Sequence, residues 1–559
     1  MSHCLESKTS NCKNCYKCIR HCPTKSIAFV NNKANIIHDT CILCGECYLV
    51  CPQQVKEVRN DIEEVKRLIA SNKEVIVSLA PSFISNYQYS SLEEITDKLK
   101  KLGFAEVEET AIGATIVKQS YDEMLKEDRD VIISSCCHSV NLLIQKHYPE
   151  ATPYLANVLS PMLAHGKDIK TRHPGARVVF IGPCIAKKDE CDRNRDYVDL
   201  VLTFPELDAW LNEAGLEFAK KNENWKKEFS KARFFPTCGG VIKSMECKEK
   251  DYEYIAIDGV ENCKRVLDDV VNGKIHKAFI EMSACSGSCV NGPMVNKDKG
   301  SVAASYLAIN RSAGEKDFTD GKIAYKDIER NYRQIVFTEA TPSEIDIEET
   351  LKKMGKEDKE KRLNCGSCGY DSCREKAIAI IQGKAVMEMC LPSLLEKAES
   401  FSDTIVSNMP LGIMVLDEEL NIQLMNRAMT NILGVKDPKF LFHKSVTSIL
   451  EPTEFYTALS GETVLRKKIY LSEYSKYVES SAIFDQNHHI LVSIMKDITK
   501  EELHKQKQEE ILKKSVDITD AVIEKNMRAV QEISSLLGES IAETKVALSS
   551  LKETLKDDE

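Results

Sequence analysis

Cys12, Cys15, Cys18 and Cys22-Pro23 set a rhythm that Cys41, Cys44, Cys47 and Cys51-Pro52 repeat. This doubled run constrains the fold more than any other feature of the 559-residue chain. Thiols two residues apart lie on loops short enough to converge on one inorganic centre. Four-iron cubes are held by such cysteine runs. Zinc also uses Cys-x-x-Cys pairs and is the alternative reading. Two complete copies, each closing on Cys-Pro, favour the cubes and a role in electron transfer.

Length implies several domains, because single cores rarely grow past about 250–300 residues. The 22 cysteines point to metal ligation rather than a disulfide framework. No apolar core opens the chain and no run reaches the roughly 18 apolar residues of a membrane span. A cytoplasmic protein of an anaerobe is expected, with no membrane partner. Net charge of −10 makes nucleic acid an unsuitable main partner.

The doubled run resembles that of bacterial two-cluster ferredoxins. The resemblance implies crossed ligation: Cys12, Cys15, Cys18 and Cys51 hold one 4Fe–4S cluster, and Cys41, Cys44, Cys47 and Cys22 the other. Beyond residue 60 helix and strand alternate. Asp61 to Ala70 reads as an amphipathic helix. EVIVSLAP (74–81), DVIISSC (130–136), ARVVFIGPC (176–184) and KAFIEMSAC (277–285) read as buried strands. Alternation of this kind predicts an α/β domain with its site at the carboxyl ends of the strands. Three of the four strands end at a cysteine.

Ser134-Ser135-Cys136-Cys137, Pro183-Cys184-Ile185-Ala186-Lys187-Lys188-Asp189-Glu190 and Glu281-Met282-Ser283-Ala284-Cys285-Ser286-Gly287-Ser288-Cys289 resemble, in order, the three signatures of FeFe-hydrogenases. The resemblance covers about residues 1–310. It implies an H-cluster, a 4Fe–4S cube on Cys137, Cys184, Cys285 and Cys289 with Cys289 bridging to a diiron subsite carrying carbonyl and cyanide. Lys187 is then a donor to cyanide, with Ala80, Ser82, Pro183 and Ser283 lining the cofactor. Cys136, not a ligand, is the proton donor, with Glu190 further out. Several positions depart from the family. Gly182 and Ser283 replace Met, Met162 replaces Gln, and Ser120 and Ala156 fall where the outer proton relay has Glu and Ser. Neither Ser nor Ala cycles a proton as a carboxylate does. Slow turnover and kinship with the sensory branch of the family follow.

Cys365, Cys368, Cys373 and Cys390 resemble a small 4Fe–4S domain of the corrinoid iron–sulfur type, with Gly366 and Gly369 easing the wrap; zinc remains an alternative there. Gly412, Asp417, Asn426, Ala428, Gly434 and Asp497 resemble the entry and exit of a PAS domain, whose ligand is unknown. His443, His488 and His489 read as solvated rather than haem ligands. In the tail Met527, Val530, Leu537, Ile541, Leu548, Leu551 and Leu555 share a heptad stripe, broken at Ser534 and Thr544, that favours a coiled coil over a packed single helix. Cys4, Cys191, Cys238, Cys247 and Cys263 receive no role.

The expected fold class is multidomain α/β and α+β. It comprises a ferredoxin-like module (1–59), a two-lobed α/β H-cluster domain (60–340), a helical 4Fe–4S domain (341–398), an α+β PAS domain (399–498) and a helical tail (499–559). The expected function is slow, reversible cleavage of dihydrogen into protons and electrons, with redox state relayed through the clusters to the PAS module. The expected partners are dihydrogen and protons, a redox protein, a separate signalling protein, hydrogenase maturation proteins, and a second copy through the PAS domain and tail. A non-catalytic redox sensor or maturation scaffold without the diiron subsite is the alternative. A metabolic hydrogenase with an ornamental PAS unit is disfavoured by the relay positions.

Overall fold

Val75–Leu79 is buried at every position, which suits a parallel strand covered on both faces. The computed structural model describes residues 3–8, 12–71, 73–87, 91–216, 231–246, 249–319, 321–437 and 440–554. The chain divides into two compact units, Met1–Leu394 and Leu395–Glu559.

In the first unit the α/β core has two lobes. One is a four-stranded parallel sheet in the order Glu106–Glu109, Val75–Leu79, Arg177–Gly182, Leu200–Thr203. The other is a three-stranded parallel sheet, Glu253–Asp258, Ala278–Ser283, Val131–Ile133. The four apolar runs are therefore strands, shared two and two between the sheets. The helix Ala111–Lys126 is buried along most of its length and carries its residues into the core.

The amino-terminal cysteine runs sit among two short antiparallel ribbons, Leu5–Ser7 with Lys56–Val58 and Ile27–Val30 with Lys33–Ile36. A buried charge network ties this module to the larger lobe. Lys188, 0% exposed, donates to Asp61 at 2.7 Å and to Glu206 at 3.0 Å. Arg59 bridges Asp61 and Asp192 at 2.8 and 2.6 Å. Asp61 therefore precedes the amphipathic helix, which begins at Ile62 and ends at Ala70. Its carboxylate is committed to the network instead.

Ser343 caps the helix Glu344–Lys353 through a capping box with Asp346. Gly355, at φ 71°, follows the end of that helix, and the charged stretch resumes as a single turn at Lys359–Lys361.

The second unit holds a five-stranded antiparallel sheet in the order Ile422–Met425, Gly412–Leu416, Ile490–Asp497, Lys476–Asp485, Val464–Leu471. Asn426 fixes its first turn, accepting from the N–H groups of Ile413 and Met429 at 2.9 Å each. Asp417 accepts from Asn421 N–H at 2.7 Å and from Gln423 at 2.8 Å. His488 and His489 are exposed and hydrogen-bonded to Asp485 and Glu418. Thr499–Thr554 is one long, exposed helix; Leu555 and Cys247 lie outside the described residues. No described helix is long and apolar enough to cross a membrane.

Candidate metal centre

Strand ends from both sheets deliver the cysteines. Val131–Ile133 leads to Cys136 and Cys137, Arg177–Gly182 to Cys184, and Ala278–Ser283 to Cys285, with Cys289 in the turn beyond. Val75–Leu79 delivers Ala80 and Ser82. The structure brings Cys137, Cys184, Cys285 and Cys289 into one cluster of interacting thiols. Burial and then the charges of Cys184, Cys137, Cys289 and Cys44 push Cys285 well above the usual thiol range. Cys289 is raised by burial and by Cys137 and Cys184, and burial lifts Cys184 to about 11.

Four neighbouring thiols that repel one another as thiolates need a cation to ionise together. That donor set fits an iron–sulfur cube. Ser82 Oγ and Ser160 Oγ, 1% and 0% exposed, have no hydrogen-bond partner among the described residues. Unpaired buried hydroxyls are costly, and Ser82, just past the end of the strand Val75–Leu79, fits an acceptor ligand on a bound group.

Lys187 donates from Nζ to the carbonyl of Cys136 at 3.2 Å and pairs with buried Glu190. Burial opposes its charge, but Glu190 more than offsets this and holds the ammonium above its usual range. Glu190 is held low by Lys187 and His138 despite burial. Its other oxygen faces His138 Nδ1 at 3.9 Å, and His138 Nε2 meets Asp189 at 2.8 Å. Pro183 and Ser283 lie at the ends of their strands, Pro183 accepting from Met294 N–H at 3.1 Å.

Cys136 is raised to about 12 by burial, a shift only partly opposed by Tyr121 and Lys187. Tyr121, fully buried, lies 3.2 Å from its sulfur through the hydroxyl. Ser120 instead donates to the carbonyl of Tyr325 at 3.1 Å. The sequence reading looked to Ser120 and missed its neighbour, because only the fold tells which helix residue faces the strand end. Glu281, within the third signature, also received no role. It accepts from the N–H groups of Gly239 and Ile242 at 3.0 and 3.1 Å, and burial lifts it to about 7.

Gly182 has a packing reason. A Cβ there would come within 2.6 Å of the Phe180 ring and 3.0 Å of Ala80 Cβ. The space a Met side chain would need is filled.

In the doubled run, Cys18 is raised by burial to about 11 in the company of Cys12, Cys51 and Cys15. Cys44, pushed well up by burial, neighbours Cys22, Cys41 and Cys47. Two sets of four are thus brought together. Around the third cysteine set, fully buried Lys376 donates to the carbonyl of Met387 at 3.0 Å and feels Cys390, Cys368 and Cys373. Such a lysine supplies a counter-charge that its sequence context does not advertise.

Residues 73–293 match the family of the iron only hydrogenase large subunit, C-terminal domain. Residues 4–52 match a 4Fe-4S dicluster domain, 362–392 an Fe-S cluster family and 400–467 a PAS domain. Iron hydrogenase 1 of Clostridium pasteurianum is 26% identical over 378 residues, an alignment covering 53% of this chain and 66% of that protein. Cytosolic Fe-S cluster assembly factor NAR1 of Kluyveromyces lactis is 23% identical over 209 residues, covering 33% and 44%. A variant of the [FeFe]-hydrogenase HydA1 from Chlamydomonas reinhardtii aligns in structure at 17% identity and TM-score 0.39, covering 50% of this chain and all of that one.

Proposed function

From its membership in the FeFe-hydrogenase-like family, joined to a dicluster segment and a PAS domain, we propose that this chain is a sensory hydrogenase of low turnover. The reaction is reversible cleavage of dihydrogen into two protons and two electrons. One observation carries the proposal: the thiol of Cys136 stands next to four converging thiols and meets the hydroxyl of Tyr121, while Ser120 is turned to the backbone carbonyl of Tyr325.

The four thiolates and the flanking donors Lys187 and Ser82 would hold an H-cluster, which supplies the hydrogen-splitting chemistry when bound. The protein's residues do the rest. Lys187 stays cationic through Glu190 and offers its ammonium toward bound acceptors. Cys136 holds a proton at Sγ beside the site, and Tyr121 fixes that sulfur. Ser120 and Ala156 offer no carboxylate to refill it. A slow exchange of protons lets the centre adopt a state set by ambient hydrogen, which a sensor needs. The dicluster and third cysteine sets would hold clusters that carry electrons onward, and the PAS module would hand the signal to a separate protein.

A scaffold without the diiron subsite is the second reading, favoured by the similarity to an Fe-S cluster assembly factor. Infrared spectra after maturation separate them. Carbonyl and cyanide bands are expected from the hydrogenase; their absence in fully matured, iron-replete protein overturns the proposal.

A further inference from the structure

The segment bearing Cys365 and Cys368 is pinned to the first ferredoxin-type run by residues of that run. Arg20 donates from Nε to the carbonyl of Gly366 at 3.3 Å and from Nη2 to that of Ser367 at 3.0 Å. Lys25 donates to the carbonyl of Gly369 at 3.0 Å and faces Asp371 at 3.7 Å. The N–H of Phe29 donates to the carbonyl of Lys384 at 2.7 Å. Gly369, at φ 94°, approaches so closely that a Cβ there would meet Ile19 Cγ2 at 2.9 Å and Arg20 N at 3.1 Å. All the anchoring groups flank Cys22.

Tyr370 fills the seam. It is 3% exposed, lies beside both Cys368 and Cys22, and its hydroxyl has no hydrogen-bond partner among the described residues. An unpaired buried hydroxyl is unfavourable, and an acceptor on a group bound between the two cysteine sets would satisfy it. On the other flank of the dicluster module, Cys22, Cys44 and Cys285 line one cavity. Cys22 and Cys44 belong to the same set of four. Cys390, in turn, immediately precedes the helix Leu391–Asn408, which continues in sequence to the first strand of the PAS sheet.

We infer that the Cys365/Cys368/Cys373/Cys390 site exchanges electrons with the Cys22/Cys41/Cys44/Cys47 site across Tyr370. The sensor arm is then wired in series behind the dicluster module and not directly to the hydrogen site. One electron leaves the reduced centre at Cys22 and enters the oxidised centre at Cys368; no bond is made and no proton moves. Dihydrogen at the first site, or dithionite in the laboratory, is the reductant. Tyr370 also donates a hydrogen bond to cluster or thiolate sulfur, and such bonds help set the reduction potential. The inference rests on reading these cysteine sets as clusters, not on hydrogen chemistry.

The test uses the full chain produced without maturation proteins, so that cubes form and no diiron subsite is installed. Electron paramagnetic resonance after dithionite reduction is expected to show a third-site signal broadened by spin coupling to its neighbour. The double variant Arg20→Ala/Lys25→Ala is expected to weaken that coupling at an iron content of about 16 per chain. Tyr370→Phe keeps the ring and removes one oxygen, so it serves if the double variant loses iron. It is expected to retain iron and coupling while lowering the midpoint potential of one centre. A magnetically isolated third-site signal in the native chain, or unchanged midpoint potentials in Tyr370→Phe, would overturn the inference. Zinc at the third site would overturn it too and leave hydrogen chemistry untouched. Missing carbonyl and cyanide bands, by contrast, would sink the hydrogenase reading and leave the coupling as expected.

Discussion

The hydroxyl of Tyr121 lies 3.2 Å from the sulfur of Cys136, and the same oxygen accepts the N–H of Ser135 at 3.0 Å. A phenol is thereby locked against the candidate proton donor by two bonds from adjacent residues. Its ring is held edge-on to Phe279 at 5.4 Å. A neutral phenol orients a thiol well, yet it titrates far from neutrality and cannot replenish protons as a carboxylate does.

Cys136→Ala should lower the residual hydrogen rate by about 10²–10⁴-fold, the usual contribution of a positioned acid–base group. Carbonyl and cyanide bands should persist. Tyr121→Phe should slow turnover less, and should cost about 1–3 kcal/mol because the Ser135 N–H loses its acceptor. Hydrogen uptake and denaturant unfolding measure the two effects.

Lys188 is the keystone of the buried network on which Arg59 of the dicluster module is seated. Lys188→Met removes the ammonium that Asp61 and Glu206 share, leaving Asp61 to Arg59 and Glu206 without that buried cation. Breaking a buried pair in this way typically costs about 3–5 kcal/mol. A large fall in thermal stability is expected, and a change under about 1 kcal/mol would contradict the keystone role.

Much of this was legible in the sequence, but unevenly. Val75–Leu79 and Ala278–Ser283 announce themselves as apolar runs, since parallel strands are covered on both faces. Their partition into two sheets is not legible, because such runs carry no information about partners. The cysteine sets could be read because ligand spacing is local. Tyr121, Lys188 and Lys376 could not: each acts through contacts far away in the chain, and a lysine in a charged segment looks solvated until the fold buries it.

Glu108 lies among His165, Arg172 and the core, and is held down at about 2; burial opposes this, but bonds from His165 and Arg172 prevail. A depressed carboxyl stabilises the fold above its unfolded value near 4.5 and loses that contribution as pH falls toward 2. The stability difference between the native chain and Glu108→Gln should therefore shrink across this window. Circular dichroism melts at stepped pH follow it, and a difference that stays constant would contradict the assignment.

The helix Thr499–Thr554 exposes Val516, Ile523, Met527, Val530, Leu537, Ile541, Leu548 and Leu551. Apolar residues spaced three and four apart on a solvated helix invite a second copy. Removing residues 399–559 should convert a dimer into a monomer in analytical ultracentrifugation without changing iron content. A monomeric full-length chain would contradict the dimer.

The most direct test of the central claim is hydrogen oxidation by the matured protein, with the rate normalised to the infrared intensity of its carbonyl bands. A metabolic FeFe-hydrogenase matured and assayed identically provides the scale. The account predicts clear bands and a rate per site lower by about two orders of magnitude or more, the scale on which a missing proton relay acts. A rate per site equal to that of the metabolic enzyme would contradict it.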